Sequence, residues 1–257
     1  MTAIVTAENL SVVIGHAKVV DAATFRLARG TFTALVGPNG AGKTTLMRAL
    51  AGLIPAEGTV TIEGRTLASM PGRERARTLA YLPQGAVFHW PLRVDALVAL
   101  GRYPHGDALS SPTPDDRRAV EAALTATATA QFAARPVTTL SGGERARVAL
   151  ARALATQAPV LLADEPTVSL DARHQLVVMQ LLQKAARNGA AVLTVVHDLT
   201  LAARFADRVL MMRGGRVVAE GDTASVLQPE RIAEVFGVEP AMLALDGVQL
   251  PLPRRPL

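Results

Sequence analysis

Thr31–Leu50 reads TFTALVGPNGAGKTTLMRAL. A β-rich run, Thr31–Val36, leads straight into a glycine-rich turn, and Lys43–Leu50 then has helical character until Gly52 stops it. Within it, Gly37-Pro38-Asn39-Gly40-Ala41-Gly42-Lys43-Thr44-Thr45 fits the spacing G-x-x-x-x-G-K-[ST]. Glycines there let backbone N–H groups turn inward around phosphate oxygens, and the helix N-terminus adds its positive dipole. Lys43 is then placed to reach β- and γ-phosphates, and the Thr44 hydroxyl to ligate Mg²⁺. An ordinary glycine-rich turn would share the glycines. A strand before it and a helix after it favour phosphate binding.

Three further features fit around that loop. Val160-Leu-Leu-Ala163-Asp164-Glu165-Pro166 is an apolar strand ending in two carboxylates. Asp-Glu-Pro alone makes an everyday turn. Beside a phosphate loop, Asp164 becomes a hard oxygen ligand for Mg²⁺, and Glu165 a group that polarises an attacking water. Leu140-Ser141-Gly142-Gly143-Glu144 opens a helix running from Glu144 to Ala155. Ser141 and Glu144 make a capping box, but two first-turn glycines cost about 1 kcal/mol each against alanine. They make sense if an anion approaches the backbone closely. One nucleotide cannot readily use both helix starts of one subunit, so a head-to-tail pair of copies is expected, each supplying half of two sites. Gln84, after the strand-like Leu79–Leu82, and His197, closing the run Ala191–Val196, complete the set. Alone they are a loop glutamine and a histidine before a helix cap. With the other motifs, Gln84 reads as a ligand of Mg²⁺ or water and His197 as a γ-phosphate contact.

The rest of the chain frames this site. Of 257 residues, 49% are hydrophobic and 19% charged, which excludes a disordered polymer. There is no cysteine, so disulfide frameworks, thiolate metal sites and cysteine nucleophiles are excluded. Apolar runs such as Ala190–Val196 are strand-length and span no bilayer. Met1–Leu10 lacks a basic region followed by an apolar one, predicting a chain that stays in the cytosol. The net charge is +5, and only Lys18, Lys43 and Lys184 among 27 basic residues are lysines. The arginines are scattered and aromatics are 4%, so a solvated basic surface facing lipid headgroups is expected rather than nucleic-acid binding. Short runs in the first sixty residues (Ile4–Val5, Leu10–Ile14, Lys18–Val20, Phe25–Leu27, Gly58–Ile62) suggest an antiparallel sheet. Residues 85–155 are alanine-rich and helical, interrupted by a Pro/Ser/Asp loop at 106–116. Val160–Ala163, helical Ala172–Ala186 and Ala191–Val196 make a βαβ unit. Arg213-Gly214-Gly215-Arg216 is a hairpin turn, and Pro251–Leu257 is expected to fray.

Taken together the chain resembles the ATP-binding subunit of an ATP-binding-cassette transporter over nearly its whole length. The motifs stand in family order: phosphate loop Gly37–Thr45, Gln84, signature Leu140–Glu144, Asp164/Glu165, the D-loop Ser169-Leu170-Asp171, and His197. The resemblance implies an α/β fold. A P-loop ATPase core, a mixed sheet flanked by helices, carries an N-terminal antiparallel β subdomain and an inserted α-helical subdomain. Residues 1–84 and 156–250 would form the core and β subdomain, and 85–155 the helical subdomain. ATP and Mg²⁺ would be the cofactors, with Ser141, Gly142 and Gly143 meeting the nucleotide of a second copy. Implied partners are a second ATPase subunit, an integral membrane permease in two copies and, indirectly, a periplasmic substrate-binding protein, with no nucleic acid. The subunit would sit on the cytoplasmic face of the inner membrane.

Gly101-Arg102-Tyr103-Pro104-His105 is similar to a stretch of siderophore, haem and cobalamin importer ATPases. Asp171-Ala172-Arg173-His174-Gln175 and the short C-terminal segment resemble the hemin importers among them. Siderophore or cobalamin import is the alternative. A soluble cassette ATPase of DNA repair or translation is the rival of another class, disfavoured by the single cassette and the absence of heptads. A small-molecule kinase would leave Leu140–Glu144 unexplained. One departure stands out: where the family has an aromatic to stack on adenine, this chain has Ile14, followed by Gly15-His16. Phe88-His89-Trp90-Pro91 opens the insertion, and its rings serve either the subdomain core or a groove for a permease helix.

Overall fold

A computed structural model describes residues 2–85, 88–106, 111–168 and 170–257. The chain begins with β1 (Ala3–Ile14) and β2 (Ala17–Ala28), joined by a tight turn at Gly15-His16. The short runs legible in this region thus merge into two twelve-residue strands. Asn9 and Ala22 take positive φ there, at register shifts that act as bulges rather than strand ends. β3 (Phe32–Val36) and α1 (Lys43–Leu50) flank the glycine-rich turn. β4 (Glu57–Ile62) and β5 (Arg65–Thr66) complete an antiparallel sheet in the order β2-β1-β4-β5. α2 (Gly72–Thr78) leads into β6 (Leu79–Leu82).

The insertion follows. α3 (Val94–Ala99) runs into a 3-10 turn at Leu100–Arg102. α4 (Pro114–Ala126) starts at a capping box between Thr113 and Asp116, with proline in its first turn. That start cuts short the loop anticipated at 106–116, whose residues 107–110 lie outside the described residues. α5 (Gly142–Ala155) takes both glycines into its first turn. Val94, Leu97, Val98, Leu124, Val137, Leu140 and Val148 bury a small core among these helices. Phe88 packs on this core and on the central one, whereas Trp90 is 74% exposed.

β7 (Val160–Ala163), α6 (Ala172–Arg187), β8 (Ala191–Val195), α7 (Leu199–Phe205), β9 (Arg208–Arg213) and β10 (Arg216–Asp222) finish the central sheet. Its order is β10-β9-β3-β8-β7-β6, parallel except for the β9–β10 hairpin. One face packs through Leu46, Met47 and Leu50 of α1 against the antiparallel sheet. The other packs through Phe32, Met179, Leu182 and Phe205 under α5, α6 and α7. Each such side chain contributes about 1.5–3 kcal/mol when fully buried. Leu82 pairs with Ala163, and Ala163 with Thr194. The residues after β6, β7 and β8 therefore leave one edge side by side, where ligands of open parallel sheets bind.

α8 (Thr223–Val226) and α9 (Pro229–Phe236) precede a terminal hairpin of β11 (Val238–Leu245) and β12 (Val248–Pro256). The tail expected to fray is therefore a paired strand, with Val238 opposite Pro256. Leu250 is buried in the central core, and the Thr200 hydroxyl donates to the Pro251 carbonyl at 3.2 Å. Prolines suit this edge strand because its outer side demands no N–H.

Candidate nucleotide site

The phosphate loop is shaped by close backbone approach. Gly37 (φ +154°) passes the β9 end so tightly that a Cβ would lie 2.3 Å from the Met212 carbonyl oxygen. Gly42 (φ +94°) leaves 2.6 Å between such a Cβ and the Val19 carbonyl oxygen. No L side chain fits either position without moving backbone. The Gly215 amide of the β9–β10 turn donates to the Ala41 carbonyl at 3.1 Å and braces the loop from outside. Asn39 and Gly40 are exposed at its tip, Ala41 is buried, and Pro38, Gly42, Thr44 and Thr45 are half-buried. Gly42 caps α1 with no side-chain acceptor, so no side chain competes as its N-terminal cap. Lys43 is only 5% exposed, and its ammonium donates to the Gly37 and Pro38 carbonyls at 2.8 and 2.9 Å. Burial lowers its pKa, against the opposing pull of the Glu165 and Asp164 charges.

Asp164 emerges from β7 fully buried, with its amide bonded to the Leu82 carbonyl at 2.9 Å. The Thr44 hydroxyl donates to Asp164 Oδ1 and the Tyr81 hydroxyl to Oδ2, each at 3.2 Å. Burial raises the Asp164 pKa, while these two hydroxyls hold it down. Tyr81 is pushed up to about 12, by burial first and then by the Asp164 charge. Its contact with the carboxylate is invisible in the sequence; the available signal was its place in the strand leading to Gln84. Among the described residues no group of three or more His, Cys, Asp or Glu could hold a metal by itself. Thr44 and Asp164 instead form a partial set of hard oxygens, which fits Mg²⁺, an ion that completes its shell with water and phosphate.

Glu165 takes a left-handed φ of +49°, a conformation that costs a non-glycine residue about 1–3 kcal/mol. The turn directs its carboxylate between two neighbours. His197 Nε2 lies 2.5 Å from Oε1, and Gln84 Nε2 donates to Oε2 at 2.5 Å. Residues after β6, β7 and β8 thus meet at one carboxylate, as the strand register dictates.

The signature segment stands across a cleft of about 450 Å³, lined by Gln84, Glu165, Gly142 and Arg145 among others. Its capping box is formed: the Glu144 amide donates to Ser141 Oγ at 3.3 Å, and the Ser141 amide to Glu144 Oε2 at 2.7 Å. Gly142 faces open space, and Gly143 lies against the His174 ring. His174 bonds through Nδ1 to Asp171, the N-cap of α6, at 2.7 Å. Ser169 lies outside the described residues. No described residue of 37–45 lines this cleft, so the two phosphate-seeking helix starts do not share it. Ile14 and His16 are exposed at the β1–β2 turn.

A family profile described as ABC transporter matches residues 20–168. Over 231 residues the chain is 46% identical to the hemin import ATP-binding protein HmuV of Streptomyces coelicolor, covering 90% of this chain and 82% of that protein. Over 251 residues it is 41% identical to the cobalamin import ATP-binding protein BtuD of Halobacterium salinarum, covering 95% of this chain and 63% of that protein. In fold it is similar to a solved metal-chelate type ABC transporter in an inward-facing conformation. The TM-score is 0.84 at 24% identity, over 99% of this chain and 98% of the other.

Proposed function

We propose, for a chain that belongs to the ABC transporter family, the role of the ATP-hydrolysing subunit that powers hemin import through a partner membrane permease. The observation that carries this reading is the 46% identity to a hemin import ATP-binding protein across 90% of the chain. The phosphate loop cradles the triphosphate with its amides, and Lys43 exchanges the Gly37 and Pro38 carbonyls for phosphate oxygens. Thr44 and Asp164, now hydrogen-bonded to each other, would hold Mg²⁺, which would supply positive charge against the phosphates. Glu165 accepts the proton of the attacking water, which takes the place of one of its two present donors. Gln84 keeps that carboxylate aimed, and His197, which gives up its place on Glu165 to the water, turns to the γ-phosphate as the site closes.

Two copies complete the machine. Ser141, Gly142 and Gly143 of one subunit close over the phosphate loop of the other, a reading supported by the separate placement of the two helix starts. ATP binding draws the copies together, and hydrolysis releases them. No helix among the described residues is long and apolar enough to cross a membrane. In this reading the permease supplies the path, and the subunit works from the cytoplasmic face of the inner membrane. A periplasmic binding protein would deliver hemin to the permease. Exposed Trp90 and Leu92, at the entrance to the insertion, support a docking point there for a cytoplasmic segment of the permease.

The test is uptake of labelled hemin by the reconstituted complex, with cobalamin and a ferric siderophore as competitors. ATP-dependent hemin uptake supports the reading. Uptake of cobalamin or siderophore without hemin would overturn the substrate and leave the ATPase role standing.

A further inference from the structure

Gly101-Arg102-Tyr103-Pro104-His105 turns its inner side onto the C-terminal end of α5. A Cβ on Gly101 would lie 2.3 Å from the Arg152 carbonyl oxygen and 3.2 Å from the Ala155 Cβ, so only glycine lets the 3-10 turn lie flat on the helix. Arg102 Nη1 donates to the Ala155 carbonyl at 2.9 Å and to Gln157 Oε1 at 3.0 Å. His105 Nε2 sits 2.8 Å from the Thr156 carbonyl, a bond that requires the proton on Nε2. These carbonyls are among those a helix C-terminus leaves without partners, and a guanidinium there also meets the negative end of the dipole.

The clamp is anchored on both sides. Arg102 Nε donates to Asp116 Oδ1 of α4 at 2.9 Å, and each side chain of this pair is only 10% exposed. The Arg102 guanidinium and the Thr113 hydroxyl hold the Asp116 carboxyl down to about 2. Exposed Arg77 of α2, outside the insertion, donates to the Pro104 carbonyl at 2.5 Å. The outer side of the same segment presents Leu100 and Tyr103, 50% and 65% exposed. At the opposite end of α5, about 20 Å away by helix rise, stand Ser141, Gly142 and Gly143.

Resting on the transporter reading above, we propose that Gly101–His105 is a mechanical joint. Permease load received by the insertion passes through Arg102 and His105 into α5, which carries it as a rigid rod to the signature glycines. Arg102 and His105 are positioning residues here. They touch neither nucleotide nor metal.

Two variants of the full complex test this. His105→Ala removes one carbonyl cap. Arg102→Met with Asp116→Asn removes the other, leaves no buried charge unpaired and keeps an acceptor for the Thr113 box. ATP hydrolysis by the subunit without permease should stay within about twofold, because the nucleotide site is untouched. Hemin transported per ATP consumed should fall on the order of tenfold. His105→Gln, whose Nε2 amide can still donate to Thr156, should recover transport. Equal transport by the parent and both variants would overturn the joint. So would a parallel fall of hydrolysis and transport, which marks a merely structural role. A parent protein that neither binds permease nor transports would overturn the transporter reading itself, and the joint with it.

Discussion

Glu165→Gln isolates the chemistry of the site from its binding. The parent carboxylate accepts from His197 through one oxygen and from Gln84 through the other. Glutamine has a single acceptor oxygen. If that oxygen stays on Gln84, the new NH₂ faces His197 Nε2, which accepts it once the ring proton moves to Nδ1. The network is therefore kept at the expense of a tautomer change, and the substitution removes charge and basicity alone. Losing a general base costs about 10²–10⁴ in rate, or roughly 3–5 kcal/mol of barrier. Nucleotide affinity should survive, since Lys43, Thr44 and the loop amides hold the phosphates. Removing a negative charge beside the γ-phosphate should tighten the bound state. The variant should accumulate as an ATP-locked dimer, read by phosphate release at saturating ATP and by light scattering. Hydrolysis at the parent rate would remove Glu165 from the mechanism and leave His197 as the base.

Trp90→Ala should weaken permease assembly or transport while changing the stability of the isolated subunit by no more than about 0.5 kcal/mol, since its ring is 74% exposed; unchanged assembly and transport would refute the docking point. Gly37→Ala drives a Cβ to 2.3 Å from the Met212 carbonyl oxygen. It should cost about 1–3 kcal/mol by thermal melting and abolish nucleotide binding; parental affinity would contradict the loop argument. Asp164→Asn should raise the Mg²⁺ concentration needed for half-maximal hydrolysis, because a neutral amide is a weaker ligand than a carboxylate; an unshifted Mg²⁺ titration would exclude it as a ligand.

Sequence legibility follows the range of the forces involved. Thr31–Leu50 could be read directly because its strand, turn and helix are local, and the glycine spacing has few physical uses. Asp164, Gln84 and His197 could be placed on one edge because parallel strands leave their successors side by side. Tyr81 was missed, since its hydroxyl meets Asp164 across 83 residues of chain. Likewise Gly101–His105 offered only a resemblance, as its partners at Ala155 and Thr156 come from another helix. Pro251–Leu257 looked frayed because prolines and arginines there hide a buried pair at their head, Leu250 and Pro251. Composition could not divide Phe88 from Trp90 either. The fold packs the first, half-buried, against two cores and leaves the second outside.

Catalysis by two copies, each finishing the other's site, is the center of the account, and a mixing experiment tests it most directly. Lys43→Ala destroys the phosphate loop of a copy, and Ser141→Arg blocks its signature helix. Neither variant alone should hydrolyse ATP. In a mixed dimer, the intact loop of one copy meets the intact signature of the other, so one of two sites is restored. Random pairing then predicts recovery to about a quarter of the parental rate. A mixture no more active than the two variants measured separately would contradict the shared site.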